Sequence, residues 1–239
     1  MSTETSSSSA NEPISQVSNR PHSTTTVSRI AAQASLVLSI ATLFFLAALH
    51  ILSPEFNPSW RMVSEYALGK YSWLLSLMFA TWGISSWALA FATWGHVRTT
   101  AGKIGLILLV VAGIGEAMAS IFDISHPLHS AASIIGIPSL PIAAMLISVS
   151  LARRPEWSAS KKALLWTANL TWISVLLMAA TFILLIATYT QAGGDMTSPP
   201  AVLPPGVIAL VGWANRFLIV VYCAWVVTVA RLASKMPAS

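Results

Sequence analysis

The chain is poor in charge. Only 9% of its 239 residues are Asp, Glu, Lys or Arg, while 55% are hydrophobic. A soluble domain carries about 25% charged residues. That shortage excludes an ordinary soluble domain, because the remaining surface must meet something other than water. It also has almost no cysteine. Cys223 stands alone inside an apolar run, so no intrachain disulfide can form, and it reads as a small packing residue. No nucleotide-binding motif is present: the glycines between positions 102 and 115 fall inside an apolar run and lack the strand that a dinucleotide fold needs. No internal repeat marks an inverted-repeat transporter. His50 and His96 fall at opposite ends of different runs, and no single helix supplies histidines to both leaflets, which argues against a transmembrane haem pair.

What is present is lipid-soluble sequence. Six apolar runs cover residues 30–52, 71–94, 103–122, 128–151, 163–189 and 206–232. Each is near or above the ~20 residues that span a bilayer core as a helix. The expected fold is therefore all-α: a polytopic integral membrane protein with six transmembrane helices in one domain, residues 30–232. Residues 1–29 are polar and rich in Ser and Thr, and they read as a disordered tail. Residues 233–239 read as a short C-terminal tail. The first run starts too late and is too long for a cleaved signal, so it reads as a signal anchor.

The net charge of +5 is distributed unevenly. With the N-terminus inside, Arg20, Arg29, Arg98, Lys103, Arg153, Arg154, Lys161, Lys162, Arg231 and Lys235 are cytoplasmic, and only Arg61 and Lys70 lie outside. Lysine and arginine concentrate on the cytoplasmic side of membrane proteins, so both termini are expected there and nucleic acid is not an expected partner. Trp60, Trp73, Trp94, Trp157 and Trp166 fall near the expected interfaces, as aromatic-belt residues do. Pro127 suits the first turn of helix 4, and Pro138 and Pro141 should kink that helix.

Three constellations could carry chemistry. In the first, Glu116 and Arg216 lie about 9 and 15 Å deep at 1.5 Å per residue. Charges at that depth are costly and need partners. Either they lock helices 3 and 6 as an ion pair, or Arg216 holds an anionic or zwitterionic ligand while Glu116 balances the charge and Asn215 assists. The second is Asp123, His126 and His129 at the turn between helices 3 and 4. Those residue types can ligate zinc or iron, or they can form a hydrogen-bonded turn in which Asp123 caps helix 4. The third is the outer segment with Arg61, Ser64, Glu65, Tyr66 and Gly69, either a loop that covers a cavity or a plain solvated loop.

Residues 63–69 (Val-Ser-Glu-Tyr-Ala-Leu-Gly), followed by Tyr71-Ser72-Trp73-Leu74, resemble an element of the domain of unknown function 998 family. Phe122-Asp123 with His129, the basic segment Arg153-Arg154-Pro155-Glu156-Trp157, and Asn215-Arg216-Phe217 resemble later landmarks of that family, in the same order. Ser133 stands where family members often have a second histidine. The resemblance implies a six-helix protein of a prokaryotic plasma membrane and implies no activity. The expected function is a small molecule or lipid headgroup bound in an outward-facing polar pocket, for transport or sensing, with Glu65, Glu116, Asp123, His129, Asn215 and Arg216 as its residues and no cofactor. The alternatives are a membrane-embedded metal-dependent lipid hydrolase, with a transition metal on Asp123, His126 and His129, and a scaffold or assembly factor without a site.

Overall fold

The computed structural model describes residues 22–195, 200 and 202–236; of residues 22–25 it describes the backbone alone. Most of the expected N-terminal tail lies outside the described residues. The described residues form six α-helices: α1 (His22–Leu52), α2 (Ser72–Thr93), α3 (Thr100–Ile121), α4 (Pro127–Ala152), α5 (Lys161–Gln191) and α6 (Val211–Ala233). Two short 3₁₀ helices sit in connections, η1 (Val63–Leu68) before α2 and η2 (Pro155–Ser160) before α5. No strand occurs among the described residues. All six long helices are long and apolar enough to cross a membrane.

The helix ends follow local chemistry. The hydroxyl of Thr99 accepts from the Gly102 N–H and caps α3. Pro127 occupies the first turn of α4, where its missing N–H costs nothing. The two largest boundary differences from the expectation are at the starts of α1 and α6. Helix α1 starts at His22 instead of near residue 30, because residues 22–29 contain no proline or glycine to stop it. Contacts at that end also hold it: Ser28 donates to the Ala92 carbonyl at 2.8 Å, and Arg29 to the Ser234 carbonyl at 3.2 Å. Helix α6 starts at Val211 instead of 206, because Pro204, Pro205 and Gly206 (φ 88°) form a turn that a helix cannot include.

Buried residues from every helix join a single apolar cluster. In lipid, helices gain little from hiding apolar surface from one another, so close backbone approach and polar contacts fix their pairing. A Cβ on Gly115 would stand 2.8 Å from the Gly136 backbone, so α3 and α4 cross this closely because position 115 is glycine; a Cβ on Gly136 would make ordinary contact, 3.6 Å from the Gly115 Cα. Helices α1 and α2 are joined by a hydroxyl ladder: Ser39 to Ser85 at 2.7 Å and Thr42 to Thr81 at 3.0 Å. Helix α6 reaches α4 through Trp225, whose indole donates to Ser148 at 3.0 Å.

Proline has a specific effect in α4. Pro141 has no N–H, so the carbonyl of Ile137, four residues earlier, loses its helical donor. The Tyr222 hydroxyl of α6 donates to that carbonyl at 2.7 Å. The helix remains one element from Pro127 to Ala152.

Candidate functional site: a cavity beneath the first 3₁₀ helix

Arg216 sits one α-helical turn into α6, and its side chain is buried. It does not pair with Glu116. Its guanidinium reaches towards the chain before η1, donating to the Arg61 carbonyl (2.8 Å), to the Gly212 carbonyl (2.9 Å) and to the Tyr66 hydroxyl (2.7 Å). A longer contact runs to the Pro58 carbonyl at 3.4 Å. The expected ion pair is thus corrected. Depth along two helices says nothing about rotation around them, and the carbonyls of residues 58–61 offered closer partners. Gly212 makes this possible: a Cβ there would stand 2.4 Å from the Pro58 oxygen, so only glycine lets the loop lie on α6.

Asn215 works beside it. Its side-chain oxygen accepts the Val63 N–H at 2.9 Å, which fixes the start of η1. Glu65 closes the same turn by accepting from the Met62 N–H (2.8 Å) and from Arg61 (2.6 Å). The segment before α2 is therefore an ordered cover, not a plain solvated loop. Its buried aromatic, Tyr66, stacks edge-on against Phe56 with ring centroids 5.3 Å apart.

Under this cover lies a cavity of about 400 Å³. Glu116, His129, Asn215 and Ser64 face it, together with Trp82, Ser133 and Tyr222. Apolar walls come from Phe79, Ile137, Met178, Phe182 and Leu218. Glu65, Asp123 and Arg216 do not line it. Glu65 faces a second cavity of about 490 Å³, lined also by Arg61, Ser125, Tyr189 and Asp195. Met62 and Phe182 line both cavities.

The hydrogen bonds of the first cavity define its chemistry. Glu116 accepts from the Ser86 hydroxyl of α2 at 2.8 Å through one carboxyl oxygen. His129 pairs with the Phe122 carbonyl at 2.9 Å through Nδ1. A carbonyl only accepts, so Nδ1 carries hydrogen and a neutral ring offers Nε2 as an acceptor. Tyr222 spends its hydrogen on Ile137 and keeps its lone pairs. The Trp82 N–H is sealed from solvent and has no acceptor among the described residues. Its ring stacks with Phe79 and meets Tyr222 edge-on, with centroids 6.3 and 6.1 Å away.

The turn between α3 and α4 is not a metal cluster. Asp123 accepts from both the N–H and the hydroxyl of Ser125, and these bonds hold its carboxyl below the usual carboxylate range. His126, not Asp123, caps α4: its Nδ1 accepts from the Leu128 N–H at 3.2 Å. His129 turns inward to the Phe122 carbonyl. Each group serves its own local bond, and among the described residues no three His, Cys, Asp or Glu side chains are grouped to hold a metal ion.

The family model for a protein of unknown function, DUF998, matches residues 34–232. The chain belongs to the DUF998 family. No curated protein and no solved structure matches it. The family segment at 63–69 and the pair Asn215-Arg216 are far apart in sequence, yet they form one interlocked cover through the bonds to Val63, Arg61 and Tyr66.

Sequence reading missed Ser86, Trp82, Ser133 and Tyr222. A signal for most of them was present. Asn215, Leu218, Ile219 and Tyr222 recur at i, i+3, i+4 and i+7, and so do His129, Ala132, Ser133 and Gly136. Those spacings mark one helix face. Following them outward from Asn215 and His129 reaches Tyr222 and Ser133.

Proposed function

We propose that this multi-pass membrane protein binds a small amphipathic molecule or a lipid in the cavity beneath η1, for transport or sensing across a prokaryotic plasma membrane. The observation that carries the reading is the cavity of about 400 Å³: its walls are mostly apolar, and a few polar groups converge on it. Small-molecule sites have that form and occupy roughly 300–1,000 Å³. The lysine and arginine distribution favours cytoplasmic termini, which puts η1 and the cavity mouth on the outer side. The second cavity beyond Met62 and Phe182 extends the path towards that surface and favours transport over sensing.

Filling the cavity tests the reading. Native mass spectrometry of protein extracted in mild detergent should show a co-purifying small molecule or lipid on the wild type. Ala119→Trp, which fills the cavity from α3, should lose it while keeping the same Tm within a few degrees. Equal ligand content in the two proteins would defeat the proposal.

A further inference from the structure

We infer that the ligand of this cavity is an apolar ammonium: a protonated amine on a hydrocarbon body, held by Glu116. The inference rests on the cavity-binding reading above.

Charge decides the sign. Among the described residues the cavity wall contains one carboxyl, Glu116, and no lysine or arginine. The nearby guanidinium of Arg216 is committed to the carbonyls of Arg61 and Gly212 and to Tyr66, and does not enter the wall. An anionic headgroup would therefore find no cation in the wall to balance it in a low-dielectric site, whereas a charge of the opposite sign has a carboxyl to pair with. Ser86 occupies one oxygen of Glu116, and the other accepts nothing among the described residues. The Tyr222 oxygen, its hydrogen given to Ile137, adds a further acceptor. An ammonium supplies the donors these atoms lack.

The aromatic wall points the same way. Phe79, Trp82, Phe182 and Tyr222 surround the cavity, and ring faces attract cations. A free amine and an amino lipid headgroup share that chemistry.

The test uses the full-length protein in phosphatidylcholine nanodiscs with three ten-carbon probes: decylamine, decanol and decanoate. Binding is read by thermal shift and by native mass spectrometry. In the wild type decylamine should bind about tenfold or more tighter than decanol, the ratio a charge-assisted contact gives, and decanoate weakest. Glu116→Gln should remove the preference for decylamine and leave decanol binding in place, which also shows that the variant is folded. A decanoate preference, or an amine preference that survives Glu116→Gln, overturns the assignment. If no probe binds, or if Ala119→Trp binds all three as the wild type does, the cavity-binding reading itself fails and the assignment falls with it. If decanol binds and is lost in Ala119→Trp but the amine has no advantage, only the ammonium assignment fails. Phosphatidylethanolamine in the nanodisc identifies the source: competition with decylamine supports a lipid amine, and no competition supports a free one.

Discussion

The two 3₁₀ helices use the same parts to different ends. Each carries an acid in its first turn, Glu65 in η1 and Glu156 in η2, paired with an arginine just before it, Arg61 and Arg154. Each buries one aromatic residue completely, Tyr66 and Trp157. Each is tied to the bundle by an arginine that donates to backbone carbonyls. At η2 that arginine is local: Arg154 reaches the His96 carbonyl at 2.8 Å and also pairs with Glu156. At η1 it comes from another helix, because Arg216 of α6 makes the contacts. The Tyr66 hydroxyl takes part in this fastening, whereas the Trp157 N–H is buried without a partner among the described residues, with its ring edge-on to His96. The lesson concerns what each cover closes. η1 is held from outside itself and forms part of the wall of two cavities, so its position depends on α6. η2 is held by its own neighbours and seals the bundle end at His96.

Substitutions can break this contrast. Arg216→Leu should have the largest effect, roughly 3 kcal/mol or more, because it orphans buried carbonyls as well as the Tyr66 hydroxyl. Arg154→Leu should cost only about 1 kcal/mol, since its groups lie near water. Guanidinium unfolding in detergent measures both, and equal losses would erase the distinction between a remote and a local fastening. Tyr66→Phe comes next, at about 1–2 kcal/mol, because Arg216 then keeps a buried N–H without a partner. Glu65→Gln should cost about 0.5–1 kcal/mol, as its bond to Met62 can persist while the ion pair is lost.

The smallest effect belongs to the other end. Burial, followed by the Arg154 charge, pushes the His96 imidazole below its usual range. The folded state therefore prefers the neutral ring, while the denatured state takes up a proton near pH 6.5. His96 contributes fully above about that pH, and stability falls as the pH drops through and below it. The Tm of the wild type should decline gently between pH 7.5 and 5.5, and His96→Gln should flatten that decline. A Tm that rises on acidification would reverse the sign.

Much of the fold was legible because bilayer crossing is written in run length. All six helices were found, and Pro127 sits where its missing N–H predicts. The covers were not legible. η1 and η2 have six residues each, too few for a helical period to register. For the site, Glu116 was picked out because a charge in an apolar run is costly, Asn215 as the neighbour of Arg216, and His129 as a ligand-type side chain at the turn between helices 3 and 4; all three line the cavity. Arg216 was picked by the same logic and misassigned, since the sequence shows that a charge needs partners and not that backbone carbonyls will serve. Trp82 carried no such mark. An indole among apolar residues reads as packing until its neighbours are known to leave its N–H empty.

The repair of α4 by Tyr222 has a consequence for biosynthesis. The carbonyl of Ile137 and the hydroxyl that satisfies it are 85 residues apart, and the donor comes later in the chain. As the chain emerges from the ribosome, α4 enters the bilayer with an acceptor that lipid cannot satisfy. It remains incomplete until α6 is made and inserted. A chain cut short before Tyr222 would thus lose more than its last helix, because an earlier one would keep a defect at Pro141 for membrane quality control to recognise.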